Sequence, residues 1–213
     1  MKKLDTMKRT IRKILLASES PYKIDNLRRS SLKFSHRPPR ADEEILKKKW
    51  QHLSPEILAA KLALSKAESI EINKFESPST LIVSSDQIPC LDGLQFSKPG
   101  TLENAVTQLK LLQNKTHTLI TAWCLLLDGE ILCQELSRVQ LRMKALSDEK
   151  ISNYLSSERP FNCAGSYKFE SPNGQKLFDW VVASDPRSIQ GLPTNEIFSK
   201  IQILARLTPE ISL

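Results

Sequence analysis

Short apolar runs alternate with stretches of helical periodicity along the chain, the pattern of an α/β protein built on a mixed sheet. Lys13-Ile14-Leu15-Leu16-Ala17 reads as a buried strand. Ser20-Pro21 directly after it reads as a helix start, with serine as N-cap and proline in the first helical position. Ser54-Pro55 repeats the signal; Ile57, Ala60, Leu64 and Ala67 then fall on one helical face, and this helix carries Lys66. Leu81-Ile82-Val83 reads as another buried strand. Leu102, Ala105, Val106, Leu109 and Leu112 give an amphipathic helix capped by Thr101. A loop holding Asp86, Gln87 and Lys98 is predicted between these two elements.

From Thr116 to Leu141 strand formers dominate, broken by Asp128-Gly129, a hairpin turn signal, so this part is predicted to be antiparallel. Ser147 opens a helix through Tyr154 and Leu155. Cys163-Ala164-Gly165-Ser166-Tyr167 and the run from Leu177 to Val182 predict loop, strand, turn and strand, and Gly191-Leu192-Pro193 leads into a closing helix. There is no internal repeat.

With 213 residues the chain can bury a core in one domain without disulfide staples. Cys90, Cys124, Cys133 and Cys163 lack paired metal-ligand spacing, no apolar secretory segment precedes them, and no apolar run is long enough to cross a bilayer. A soluble, cytoplasmic protein with no membrane partner is expected. Residues 1–10 read as an N-terminal extension, with Met7 as an alternative start, and residues 11–213 as the folded domain. The net charge of +7 favours an anionic partner. Because the basic residues are spread and aromatics make up only 6% of the chain, a small polyphosphate is expected rather than a nucleic acid.

Three segments carry chemistry. Ser18, Ser20, Tyr22 and Lys23 lie where a strand meets a helix N-terminus, an arrangement suited to phosphate, although Ser20 reads equally as a plain N-cap. Within Asp42-Glu43-Glu44, carboxylates could ligate a hard cation or simply form a solvated face. Asp86 follows an apolar strand in Leu81-Ile82-Val83-Ser84-Ser85-Asp86-Gln87, where a strand end opens into a cleft. If Lys66 and Lys98 converge on Asp86, they would stabilise a transferring phosphoryl group while a metal and Asp86 prepare a water.

Taken together, Leu16-Ala17-Ser18-Glu19-Ser20-Pro21, Asp42-Glu43, Leu62 to Ala67, Ser85-Asp86-Gln87, Lys98-Pro99, Thr116-His117, Cys163 to Tyr167 and Gly191-Leu192-Pro193 resemble the Maf family of nucleoside triphosphate pyrophosphatases over nearly the whole chain. The resemblance implies a mixed, elongated sheet flanked by helices, the inosine-triphosphatase-like fold. Cys163 to Glu170 and Asp185-Pro186 resemble the branch acting on 7-methyl-GTP rather than the branch acting on dTTP and UTP. By the same resemblance Asp86 is the proton acceptor, and Tyr22, Gln87 and Glu170 set base choice. Mg²⁺ or Mn²⁺ is expected to be held by Asp86 and Glu43, and Ser18, Ser20, Lys23, Lys66 and Lys98 are expected to bind phosphate. A homodimer that removes modified nucleotides in the cytoplasm is implied.

A guanine edge offers two donors that the Glu170 carboxylate can accept, and a cationic 7-methylated purine suits the face of Tyr22. Four positions depart from the family pattern: Lys23 and Lys144 stand where arginine is usual, Ala122 where glycine is, and Arg187 where asparagine is. Lysine cannot make the bidentate fork of arginine, so a catalytically weak nucleotide-binding regulator of cell division on the same fold is the alternative. His117, flanked by Thr116 and Thr118 at the start of an apolar strand, reads as a hydrogen-bonded structural histidine, and Cys163 reads as structural because no neighbouring histidine would activate its thiolate.

Overall fold

A computed structural model describes residues 11–30, 32–72 and 79–207; the extension expected over residues 1–10 lies outside the described residues. The helices and strands run β1 (Lys13–Ala17), α1 (Pro21–Arg28), β2 (Ser35–Arg37), α2 (Glu43–Lys49), α3 (Pro55–Glu68), β3 (Thr80–Leu91), β4 (Leu94–Gln95), α4 (Leu102–Leu112), β5 (Thr116–Leu127), β6 (Glu130–Met143), α5 (Asp148–Glu158), α6 (Pro172–Gln175), β7 (Phe178–Ala183) and α7 (Thr194–Leu207). Seven strands form one mixed sheet in the order β2-β1-β3-β5-β6-β7, with β4 paired to β3. β1 is parallel to both neighbours, whereas β3, β5, β6 and β7 pair antiparallel. The mixed sheet and flanking helices expected from the sequence are present.

The strand interiors are apolar on both faces because helices cover both. Leu16, Leu81, Val83 and Trp123 pack with Leu27 of α1 and Ile197 of α7. Ile82, Ile88 and Ala122 pack with Leu58, Ala59, Leu62 and Ala63 of α3 on the other face. Each leucine so buried contributes about 1.5–3 kcal/mol relative to exposure. The far half of the sheet packs Leu141 and Phe178 against Leu109 of α4 and Leu155 of α5. The β5–β6 turn carries positive φ at both Asp128 (51°) and Gly129 (80°), the geometry for which Asp-Gly is favoured in a two-residue hairpin.

Four sequence expectations need correction. The buried face of α3 is Leu58, Ala59, Leu62, Ala63 and Ala67, and Ile57 stands 49% exposed. Apolar residues surround this helix, so periodicity could not select the face. On α4, Leu102 is likewise 50% exposed. Cys163 to Tyr167 is not a strand: Gly165 and Ser166 take φ of 79° and 62°, which no strand accommodates, and residues Ala164–Ser166 form a short 3-10 turn.

The fourth correction bears on the site. Leu81-Ile82-Val83 does not end at a loop; β3 continues through Asp86 and Gln87, pairing with β5 from Leu81↔Leu127 to Cys90↔Thr118. What ends is the neighbour. β1 pairs with β3 only as far as Leu16↔Val83, and the chain then turns away into α1. One edge of β3 is therefore uncovered from Ser84 until β4 takes over at Cys90. Pro89 is tolerated here because its carbonyl, which accepts from the Phe96 N–H, faces this edge, so its missing N–H breaks no bond to β5.

Candidate functional site

The cleft wraps around that open edge. Side chains alternate across β3, so Asp86 shares a face with Ile82 and Ile88 toward α3, while Gln87 faces α1. Asp86 is 3% exposed. One of its carboxylate oxygens accepts from the Lys66 ammonium, which α3 delivers from its last turn. Lys66 Nζ also lies 2.6 Å from Glu43 Oε2, and Glu43 Oε1 lies 2.5 Å from Lys47 Nζ. Glu43 is in place because Asp42 caps α2, its side chain accepting from the Ile45 N–H at 3.0 Å. The three acidic residues thus divide: Asp42 caps, Glu43 enters the site, and Glu44 lines a cavity of about 550 Å³ beside it.

The charges reinforce one another. Burial alone would lower the Lys66 pKa, but Asp86 and Glu43 carry it above the usual lysine range. Burial would raise that of Glu43, yet Lys66 and Lys47 hold it below the usual carboxylate range. The other Asp86 oxygen, Oδ2, is buried without a hydrogen-bond partner among the described residues. An orphaned, buried carboxylate oxygen is costly unless something else meets it, and it is the atom on which a cation or a water proton would be received. The donor set fits a hard divalent cation bound by two carboxylates and completed by substrate phosphates. Among the described residues no three acidic, histidine or cysteine side chains gather into an all-protein metal cage.

Lys23 reaches the same edge from α1, donating to the Ser85 carbonyl at 2.8 Å. Its pKa is lowered to about 8, first by burial and then by Lys66. It is therefore charged at neutral pH and loses its proton as the pH rises through that value. If Lys23 meets phosphate, KM for a nucleoside triphosphate is expected to rise several-fold on going from one pH unit below that value to one above, and Lys23→Arg to flatten the rise, in initial-rate measurements. Gly191 is needed beside it. Its φ is +76°, and a Cβ there would lie 3.1 Å from Lys23 Cε, so a side chain would be strained and would push the lysine.

On the α1 face a smaller cavity of about 140 Å³ is lined by Tyr22, Gln87, Pro89, Cys163, Phe169 and Glu170, among others. The Tyr22 hydroxyl is raised to about 12 by burial and by its hydrogen bond with the Glu170 carboxylate. Gln87 lines both this cavity and the larger one, so it stands at their junction. Its Nε2 donates to Thr121 Oγ1 at 2.8 Å and to the Ser188 carbonyl at 2.7 Å. Ser188 belongs to a 3-10 turn, Pro186–Gln190, capped by the buried Asp185 carboxylate. Thr121 and Ser188 were not legible as site residues, because chain-distant contacts bring them there, whereas Lys47 had a local signal in its i,i+4 spacing from Glu43.

Other candidates fall differently. No side chain caps α1, so Ser20 is not a side-chain N-cap; the Ser18 hydroxyl instead accepts from the Ser20 N–H at 3.1 Å. Among the described residues Lys98 forms no ion pair with Asp86: it is exposed in the loop after β4 and acts electrostatically on the Cys163 thiol. Burial raises the Cys163 pKa, which keeps the thiol protonated and poorly suited to nucleophilic work. His117 hydrogen-bonds the Tyr167 hydroxyl at 2.8 Å and is pushed down to about 4 by burial, a neutral structural group. Lys144 donates to the Lys176 carbonyl at 3.0 Å, in a cavity that has no residue in common with the two described above. Ala122 lies directly across from Asp86 in the β3–β5 ladder.

The chain is similar to known proteins over most of its length. The family described as Maf-like protein matches residues 13–204. A 7-methyl-GTP pyrophosphatase of Bdellovibrio bacteriovorus is 36% identical over 186 residues, 87% of this chain and 94% of that protein. One from Cupriavidus pinatubonensis is 38% identical over 192 residues, covering 89% and 92%. Another, from a Polaromonas species, is 36% identical over 194 residues, covering 91% and 85%.

Proposed function

Since the chain belongs to the Maf-like protein family, we propose that it is a nucleoside triphosphate pyrophosphatase that hydrolyses 7-methyl-GTP to 7-methyl-GMP and diphosphate. The observation that carries the reading is the buried Asp86 carboxylate, one oxygen held by Lys66 and the other unpartnered, at the open edge of β3. A cavity with basic walls lies beside it, and an aromatic and acidic cavity lies across Gln87.

In this reading the base enters the smaller cavity, Tyr22 and Phe169 lie against it, and Glu170 accepts the two donor hydrogens of the guanine edge. A 7-methylated purine carries a positive charge, which the Glu170 carboxylate and the Tyr22 face favour over neutral GTP. The triphosphate then runs along the β3 edge toward Lys23, Lys66 and Lys47, whose charges offset its own. Mg²⁺ or Mn²⁺, when bound by Asp86 and Glu43, supplies further charge neutralisation and acidifies a water. Asp86 takes the proton of the attacking water as its oxygen bonds to the α-phosphorus. The bond from the α-phosphorus to the α,β-bridging oxygen breaks, and the Lys66 and Lys23 ammonium groups stabilise the departing diphosphate. Ser18 and Ser20 at the start of α1, and the exposed Lys98 in the loop after β4, offer further phosphate contacts.

The cellular setting is the cytoplasm, with free modified nucleotide as substrate; no described helix is long and apolar enough to cross a membrane. Edge strand β7 exposes 43% of Trp180 and 61% of Val182, an apolar edge of the kind a second copy covers in a homodimer.

The test is diphosphate release from 7-methyl-GTP, GTP, dTTP, UTP and inosine triphosphate. The reading expects kcat/KM highest for 7-methyl-GTP, with Glu170→Gln lowering it by about tenfold or more for 7-methyl-GTP and also lowering it for GTP, the loss of a charge-assisted pair. Preference for a pyrimidine would overturn the base assignment, and no turnover would overturn the reaction.

A further inference from the structure

We infer that Thr121 is a specificity-determining positioning residue: together with the Ser188 carbonyl it locks the Gln87 amide so that only its oxygen faces the base cavity, which makes the 2-amino group of the purine a requirement for tight binding. The inference rests on the proposed function for the identity of the ligand, and on the hydrogen bonds for the lock.

A glutamine side chain ordinarily offers both a donor and an acceptor, and can turn to suit either kind of ligand. Gln87 is denied that choice. Its amide nitrogen carries two hydrogens, and both are directed at protein oxygens, Thr121 Oγ1 at 2.8 Å and Ser188 O at 2.7 Å. Turning the amide over would place its oxygen against the Ser188 carbonyl, acceptor against acceptor, at a site where Ser188 and Thr121 are both fully buried. The Ser188 carbonyl cannot retreat. Its turn is tied by Asp185, whose carboxylate accepts from the N–H groups of Arg187 and Asn195, and by the Ser188 hydroxyl on the Asp185 carbonyl. Thr121 is fixed in the middle of β5, directly opposite Gln87 in the ladder.

With Gln87 held this way, three of the polar groups lining the base cavity, Gln87, Glu170 and Tyr22, offer acceptors. Gln87 contributes Oε1, Glu170 contributes its carboxylate, and the Tyr22 hydroxyl spends its proton on Glu170. A base satisfies these three groups only by presenting donors. Guanine and its 7-methyl form present a ring N–H and an amino group on one edge, whereas hypoxanthine keeps the ring N–H and lacks the amine. An adenine edge presents a ring acceptor and leaves these acceptors opposed.

Binding of 7-methyl-GTP and 7-methyl-ITP to Asp86→Asn protein, compared by titration calorimetry, tests this without depending on turnover. The amino group is expected to be worth about tenfold or more in Kd, the size of one lost hydrogen bond that leaves a buried acceptor unmet. In the added variant Thr121→Val, which keeps the shape and removes the hydroxyl, that ratio is expected to fall about two- to fivefold, because the amide is then held by the Ser188 carbonyl alone while Glu170 still accepts from the amino group. Thr121→Ser, which restores the hydroxyl, should recover it. Equal affinity for the two nucleotides without any change at Thr121 would overturn the inference, as would a ratio unchanged in a folded Thr121→Val protein. Should Thr121→Val not fold, the first comparison and the serine variant still decide. Failure of the proposed reaction would show separately, as no turnover by the native protein.

Discussion

Replacing Asp86 by asparagine is expected to lower the rate of diphosphate release by about a thousandfold or more, while nucleotide binding and fold are kept. The substitution preserves shape at a position 3% exposed, so packing against α3 is undisturbed. What it removes is the capacity of Oδ2 to receive a proton or a cation, and that oxygen has no structural partner to lose. Lys66 keeps Glu43 as a partner, so stability should change by no more than about 1 kcal/mol. Single-turnover rates with 7-methyl-GTP, alongside thermal melting of the same sample, would separate the two effects. A variant retaining a tenth of native activity would mean that some other group accepts the proton.

The second large effect is expected at Lys66. Lys66→Met removes the cation between Asp86 and Glu43, leaving two largely buried carboxylates facing one another. Breaking a buried ion pair on one side costs about 3–5 kcal/mol, so the melting temperature should fall clearly. The pH dependence should also change sign. In the native protein Glu43 has a lowered pKa, so its contribution is present above the ordinary carboxylate range and is lost as pH falls toward its own lower value. In the variant the carboxylates repel, a shared proton is welcome, and mild acidification should stabilise rather than destabilise. Added Mn²⁺ should restore part of the lost melting temperature by replacing the missing charge between the same oxygens. Melting curves across pH, with and without Mn²⁺, check all three. A variant as stable as the native protein, with unchanged pH dependence, would remove Lys66 from the network.

Much of this architecture is legible in the chain itself. Lys13 to Ala17 forms the predicted strand, Ser54-Pro55 and Thr101 start the predicted helices, and Asp128-Gly129 makes the predicted hairpin. These features rest on local signals: apolar runs, N-caps and a turn that needs positive φ. Asp86 was legible as a residue of interest and illegible in its setting. Ser84-Ser85-Asp86-Gln87 looks polar enough to end a strand, yet hydrogen bonding to β5 does not depend on side-chain polarity, and the pairing runs through it. The cleft arises because β1 stops, a fact about a neighbouring strand some 65–70 residues earlier in sequence.

The candidate site divides along the same line. Lys66 meets Asp86 across 20 residues and was in view as a lysine on a helix, but its second partner Glu43, itself paired with Lys47 one turn along α2, is met only when α2 is set against α3. Lys98 had the same credentials in sequence and stands exposed, because the loop after β4 carries it outward. Gln87 is held by partners 34 and 101 residues away, so nothing near it in the chain announces that its amide is fixed.

The central claim is that water, directed by Asp86, attacks the α-phosphorus of a nucleoside triphosphate. Turnover of 7-methyl-GTP in ¹⁸O-labelled water, followed by mass spectrometry of both products, tests it most directly. The account predicts one labelled oxygen in 7-methyl-GMP and none in diphosphate. Label in the diphosphate, or release of orthophosphate in its place, would contradict it.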